Sequence, residues 1–225
     1  MSGYKGRASR GLLAAFLAAE CILYLAFLIM DLTGRSAATT GVKYAGVLLC
    51  LAFSLWSAVK GGDRLVPPAL LLTALADSLL LVADSYYALG VLIFLGAQVV
   101  YLIRLWKGTG RSLWPLRIIL PLAAFAVLFL LDLGTPLNIL ALLYFSQLAV
   151  NTLAAWMGKG KTWKCFALGL SLFVCCDICV GIWNTQALFP DALCQFARVG
   201  MWLFYLPSQV LIALSSLPSR KEAEG

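Results

Sequence analysis

Eight apolar segments, separated only by short polar breaks, make up most of this sequence. Their approximate bounds are 11–32, 40–59, 65–83, 87–106, 114–132, 136–157, 163–184 and 193–215. About 20 apolar residues suffice for a helix to cross a bilayer, and the lipid interior admits only helices or closed barrels. The pattern therefore predicts an all-α integral membrane protein, a bundle of about eight transmembrane helices with antiparallel neighbours.

Composition supports a chain without a separate soluble domain. The sequence is 62% hydrophobic and 12% charged, whereas a soluble domain carries about 25% charged residues. We predict a single polytopic transmembrane domain over residues 1–225, flanked by an N-terminus at 1–10 and a tail at 216–225. The first apolar segment follows a basic run but is long enough to span, so we interpret it as a retained signal anchor.

The distribution of basic residues predicts the orientation. All but three of the 17 Lys and Arg, among them Arg104 and Arg117, fall on the side that also holds both chain ends. The exceptions are Arg35, Lys43 and Arg198. The positive-inside rule then places the N and C termini in the cytoplasm of a multi-pass protein, in the plasma membrane of a bacterium or the endoplasmic reticulum of a eukaryote. Cytoplasmic loops also account for the net charge of +7, so no nucleic-acid partner is expected.

Two of the apolar segments contain an aspartate: Asp77 in LLLTALADSLLLV and Asp177 in LSLFVCCDICVG. An ionised Asp at bilayer depth costs about 2.5–3.5 kcal/mol on insertion scales, so we expect both acids to face one interior site. Each lies seven residues before a polar residue, Asp84 or Asn184, which places both about 10 Å below the non-cytoplasmic surface. Their matching contexts also predict a 4+4 internal repeat, in which spans 1–4 correspond to spans 5–8.

The sequence contains no histidine, which excludes Ser-His-Asp triads, Cys-His pairs and H-E-x-x-H zinc helices. Cys176 and Cys179 form a C-x-x-C without a second ligand pair, so we interpret them as small apolar residues rather than ligands. We therefore predict neither a metal nor a cofactor. Hydrolytic chemistry in this chain has to use carboxylates, Tyr, Lys, Ser or Cys.

The paired acids admit several interpretations. Two neighbouring carboxyls separate into one proton donor and one carboxylate, which permits general acid–base catalysis without histidine. The same pair would serve a proton-coupled transporter, or would simply hydrogen-bond a neighbouring helix. Glu20, near mid-depth in the first span, is a second-tier candidate that is either catalytic or paired with a buried cation.

Several motifs carry a family resemblance. Val42-Lys43 opens span 2, and the later motifs are TALADSLLL in span 3, FLGAQVVYL in span 4, LFVCCDICVG in span 7 and RVGMWLFYLPSQVLIALS in span 8. In this order, they resemble the YhhN-type family of membrane lysoplasmalogenases over most of the chain. Ala76, Gln98, Cys176 and Leu206 depart from the family pattern and mark a distant member.

The resemblance implies a metal-independent hydrolase that cleaves the vinyl ether bond of a lysoplasmalogen, a membrane lipid. The products would be a fatty aldehyde and glycerophosphoethanolamine or glycerophosphocholine. It implies Asp77 and Asp177 as the catalytic acids. The implied substrate-binding residues are Lys43, Gln98, Tyr101, Arg198, Tyr205 and Gln209. A small proton-coupled transporter and a hydrolase of another lysolipid on the same fold stay open as alternatives.

Overall fold

The computed structural model describes the backbone of residues 2–33 and 36–218, and side chains within 10–33 and 39–218. Arg35 and most of the predicted C-terminal tail lie outside these residues. The described chain forms eight helices and no strand. They are α1 (Ser2–Leu32), α2 (Ser36–Val59), α3 (Val66–Asp77), α4 (Tyr87–Thr109), α5 (Trp114–Leu130), α6 (Pro136–Trp156), α7 (Lys161–Asn184) and α8 (Asp191–Leu214). Each predicted segment corresponds to one helix, which confirms the all-α fold.

Six of these helices are long and apolar enough to cross a membrane, namely α1, α2, α4, α6, α7 and α8. The other two are shorter apolar helices, over Val66–Val82 and Trp114–Leu130. A 17-residue helix such as α5 extends about 25 Å, at the lower limit for a transmembrane helix. The prediction of about eight spans is thus supported by length for six helices. The chain is a multi-pass membrane protein.

Helix α8 lies at the centre of the packing, since it contacts α1, α2, α3 and α7. Gly46 allows α2 to approach α8 closely, because a Cβ at this position would lie 2.6 Å from Leu206 Cδ1. Small residues permit such approaches between membrane helices. On the other side of the bundle, α6 packs against α4, α5 and α7.

Arg104 joins three helices at the end of the bundle where α8 finishes. Its Nε donates to Asp63 Oδ2 at 2.7 Å, and its Nη2 donates to the Ser215 carbonyl at 2.7 Å. The guanidinium also lies 4.1 Å from the ring centroid of Phe166. Arg104 lies in α4, as the predicted span 87–106 has it, but it is only 2% exposed, whereas the charge argument groups it with basic residues of the cytoplasmic loops. Its burial could not be predicted from the number of charges in each loop, because its hydrogen-bond partners come from other parts of the chain.

Arg117, within the predicted span 114–132, is likewise buried, in α5. Its Nη1 donates to Gln147 Oε1 at 3.0 Å and its Nη2 to Asn151 Oδ1 at 2.7 Å. Asn151 in turn donates to Gln98 Oε1 at 3.0 Å. This chain of polar contacts joins α5, α6 and α4 through neutral acceptors.

We predict that Arg104→Ala lowers the free energy of unfolding by about 2–4 kcal/mol, because it leaves Asp63 and the end of α8 without their shared donor. Thermal unfolding of the purified protein in detergent measures the effect. Arg111→Ala is the matched control, because Arg111 is exposed. Equal melting temperatures for the two variants would contradict a stabilising role for Arg104.

Candidate active site

Asp77 is bound by a tyrosine from the central helix. The Tyr205 hydroxyl donates to Asp77 Oδ2 at 2.6 Å, and each residue is only 5% exposed. Asp77 is the last α-helical residue of α3, which continues as a π-helical turn over Ser78–Val82. π-Helical turns are rare overall, but those that do occur are frequently found at functional sites. The change in helix type therefore falls directly after the carboxylate.

Asp177 has an equivalent partner from a different helix. The Tyr144 hydroxyl, on α6, donates to Asp177 Oδ2 at 2.7 Å. Tyr144 is buried, whereas Asp177 is partly exposed. In a 4+4 repeat, α7 corresponds to α3 and α4 corresponds to α8. Because the partner of Asp77 is on α8, the repeat would place the partner of Asp177 on α4. The two tyrosine partners therefore do not follow the predicted repeat.

Aromatic rings connect the two acid–tyrosine pairs. The ring of Phe94 lies 5.7 Å from that of Tyr144 and 5.9 Å from that of Phe173. Phe173 in turn lies 5.4 Å from Tyr205. Ring contacts therefore run without a break from the tyrosine that binds Asp177 to the tyrosine that binds Asp77. The structure thus brings the two predicted acids into one site inside the bundle.

Lys43 is placed beside this site rather than on it. Its ammonium forms an ion pair with Asp31 at 2.8 Å and lies 4.4 Å from the Trp202 ring centroid. The Trp202 ring packs edge-on against Tyr205 at 5.6 Å. Lys43 therefore reaches the Asp77–Tyr205 pair through one intervening ring.

Arg198 is exposed on α8. It precedes Tyr205 by seven residues, which is about two turns or 10 Å. It lies nearer the start of α8 than the acid site does, and its side chain faces outward.

The other predicted binding residues are deeply buried and do not touch the carboxyls. Gln98, Tyr101 and Gln209 are each at most 1% exposed. Gln98 is held through Asn151, and Tyr101 packs against the Phe166 ring at 5.3 Å. They form a deeper polar group beside the acid site.

Glu20 is a third buried acid. Its Oε1 accepts a hydrogen bond from the Cys50 thiol at 3.2 Å, while Oε2 has no hydrogen-bond partner. Within the described side chains, the ion pairs are Lys43–Asp31 and Arg104–Asp63, so Glu20 has no ion pair there with a cation, which was one of its two predicted roles.

Two surface clefts of the described residues are not lined by the paired acids. One, of about 560 Å³, opens between α2 and α3 beside Leu51, Leu55 and Pro67. The other, of about 480 Å³, lies at the turn that contains Asp132. Among the described residues, no three His, Cys, Asp or Glu side chains are grouped so that they could hold a metal ion.

Tyr144 is the site residue that sequence reasoning missed. A tyrosine in the middle of an apolar span was the available signal, because a buried tyrosine hydroxyl usually finds a hydrogen-bond partner. No local pattern relates it to Asp177, which lies 33 residues later.

These features define a multi-pass helical membrane protein with two tyrosine-bound aspartates in the interior of its bundle. The model of the YhhN family matches residues 38–216, and the chain belongs to this family, as its motifs predicted. The match includes both acids and both tyrosines, whereas α1 and Glu20 precede it. No curated protein and no solved structure matches the chain.

We predict that Asp77→Leu destabilises the protein by about 1–3 kcal/mol, because it leaves the Tyr205 hydroxyl buried without an acceptor. Asp77→Asn should be nearly neutral, since the amide oxygen can still accept that bond. The double variant Asp77→Leu/Tyr205→Phe should recover part of the loss. Melting temperatures in detergent test all three, and equal stability of the Leu and Asn variants would rule out a structural contribution from this bond.

Proposed function

We propose that this protein is a lysoplasmalogenase-like intramembrane hydrolase that cleaves the vinyl ether bond of a lysoplasmalogen. Membership of the YhhN family suggests this activity at the level of the family. The observation that carries the proposal is the placement of Asp77 and Asp177 in one site, each bound by a tyrosine hydroxyl.

The proposed chemistry requires two carboxyls with different protonation. One carboxyl transfers its proton to the alkene carbon, and the vinyl ether becomes an oxocarbenium ion. The other carboxyl, ionised, stabilises this cation and takes a proton from the water that attacks it. The resulting hemiacetal collapses to a fatty aldehyde and the glycerophospho head group. Neither a covalent nucleophile nor a histidine takes part.

The tyrosines are positioning residues in this scheme. A hydrogen bond from Tyr205 or Tyr144 fixes one oxygen of each carboxyl, so the second oxygen is directed toward the reacting atoms. Lys43 acts through Trp202 on Tyr205. Restricting a reacting group in this way lowers the entropy lost on reaching the transition state.

The substrate phosphate is assigned to Arg198, and the alkenyl chain to the apolar interior near Asp177. Arg198 supports this role because it is exposed near the start of α8, where a head group at the membrane surface can reach it. Guanidinium groups bind phosphate through paired hydrogen bonds. The proposal also includes all eight helices crossing the bilayer, with both termini in the cytoplasm.

The direct test is incubation of the purified protein with a lysoplasmalogen and, separately, with its ester-linked analogue. Aldehyde release from the vinyl ether alone is expected. Release of fatty acid from the ester analogue would instead indicate a hydrolase of another lysolipid. Turnover of neither lipid would overturn the proposal, and proton-coupled uptake into liposomes would then be the next assay.

Asp77→Asn and Asp177→Asn should each lower kcat by about 10²–10⁴, the usual contribution of a general acid or base. The double variant should lose little more than the worse single variant, because groups that act as a unit are not additive. Steady-state aldehyde release measures kcat, and size-exclusion profiles check that each variant is folded. Full turnover by both single variants would remove the two aspartates from the mechanism.

Arg198→Ala should raise KM for the lipid more than it lowers kcat, because a phosphate contact is present in both the ground state and the transition state. Arg111→Ala, another exposed arginine, is the control and should leave both constants unchanged. A loss of kcat at constant KM in Arg198→Ala would move this residue into the catalytic group.

A further inference from the structure

Four polar atoms beside the acid site are buried without a hydrogen bond. They are Thr73 Oγ1, Gln98 Nε2, Tyr101 Oη and Gln209 Oε1. Their residues are between 0% and 1% exposed. Buried polar atoms in proteins are nearly always hydrogen-bonded, and each unsatisfied one costs about 1–3 kcal/mol. We call these four residues the polar layer.

The polar layer lies one helical turn from the acid site. Thr73 precedes Asp77 by four residues in α3, and Gln209 follows Tyr205 by four residues in α8. Residues four apart lie on the same face of a helix. Because Tyr205 binds Asp77 and the two helices run in opposite directions, Gln209 and Thr73 come next to each other one turn further along.

Helix α4 supplies the rest of the layer. The Tyr101 hydroxyl lies beside the Thr73 hydroxyl, yet neither makes a hydrogen bond of ordinary distance and angle. Gln98 lies three residues before Tyr101, on the same face of α4. Two neighbouring hydroxyls that lack such a bond are suited to a molecule that donates and accepts at once.

The chemistry of the layer identifies its ligand. Gln98 Nε2 donates, Gln209 Oε1 accepts, and the hydroxyls of Thr73 and Tyr101 do both. An anion would require donors only, and a cation would require acceptors only. A buried water molecule needs two to four polar partners of both kinds. The mixed set therefore fits water.

We propose that the polar layer binds ordered water and delivers the water molecule that hydrolyses the substrate. This inference rests on the hydrolytic function proposed above. A reaction inside an apolar bundle needs a defined source of water, and the layer adjoins the acid pair on the side of Asp77.

The position of the layer also assigns the two acids. The water reaches Asp77 first, because Thr73 and Gln209 lie one turn from the Asp77–Tyr205 pair. Asp77 then takes the proton of the attacking water as the new carbon–oxygen bond forms. Asp177, the other acid of the pair, gives its proton to the alkene carbon of the lipid. Collapse of the hemiacetal breaks the old carbon–oxygen bond: Asp77 gives its proton to the leaving oxygen, and the hemiacetal hydroxyl gives its proton to Asp177, so both acids regain their starting protonation.

The test removes one hydroxyl at a time, with Thr73→Val and Tyr101→Phe. We expect kcat to fall about 10-fold to 100-fold, as for the loss of one buried hydrogen bond, with KM for lysoplasmalogen unchanged. Thr73→Ser should retain activity because it keeps the hydroxyl. Ser54→Ala is the control, since Ser54 is equally buried but bonds within its own helix.

Reaction in D₂O separates a defect in water capture from other defects. In the variants the oxocarbenium ion should persist longer before water attacks it. It should therefore lose a proton and re-form the vinyl ether more often than in the wild-type protein. The alkene carbon has gained one deuterium in D₂O, and rotation about the carbon–carbon bond allows its original hydrogen to leave instead. The re-formed vinyl ether then keeps the deuterium, so unreacted lipid recovered for mass spectrometry should carry the label. The wild-type protein and Ser54→Ala should return unlabelled lipid.

Each failure has its own signature. A raised KM with unchanged kcat and no label would make the polar layer part of the lipid-binding surface and overturn the inference. Unchanged kinetics in both variants would also overturn it. If the wild-type protein releases no aldehyde, the proposed function fails. Ordered water between Thr73 and Tyr101 in an experimental density map would then still support the binding site, and its absence would refute it.

Discussion

The hydrogen bond from Tyr205 to Asp77 is the contact on which the interior of this protein depends. It joins α8 to α3 across 128 residues of sequence, in surroundings where a lone carboxyl or a lone hydroxyl is unfavourable. Each group supplies the hydrogen-bond partner that the other needs when it is buried. The bond also fixes the rotation of both helices, because the residues that line the interior one turn away are determined once these two side chains meet.

Helix α8 carries several parts of the candidate mechanism. Tyr205 holds an acid, Trp202 connects this tyrosine to Lys43, and Gln209 belongs to the polar layer. The end of the helix is fixed by Arg104, whose side chain binds the Ser215 hydroxyl and carbonyl. A helix anchored at its end and contacted by four others is a rigid support, and rigid supports hold catalytic groups more accurately than loops do.

Hydrolysis within a bilayer requires water and a lipid chain to reach the same atoms from different surroundings. The proposed arrangement separates the two approaches. In this proposal the lipid meets Asp177, whereas Asp77 is buried and adjoins buried polar atoms suited to water. The aromatic rings of Phe94 and Phe173 lie between the two tyrosines and keep the remaining space apolar. The reacting cation would therefore meet only the water supplied to it.

The sequence by itself determined the number of helices and, except at the start of α1, their bounds within a few residues, because hydropathy and turn residues act locally along the chain. Helix α1 begins at Ser2 rather than near residue 11. It also singled out Asp77 and Asp177, because an acid in an apolar span is unfavourable wherever the helix packs. It did not predict Tyr144 as the partner of Asp177, or the burial of Arg104 and Arg117. Those outcomes depend on how each helix is rotated and which helices become neighbours. Only the tertiary structure decides this, since side chains 33 to 128 residues apart meet through packing and not through any local pattern.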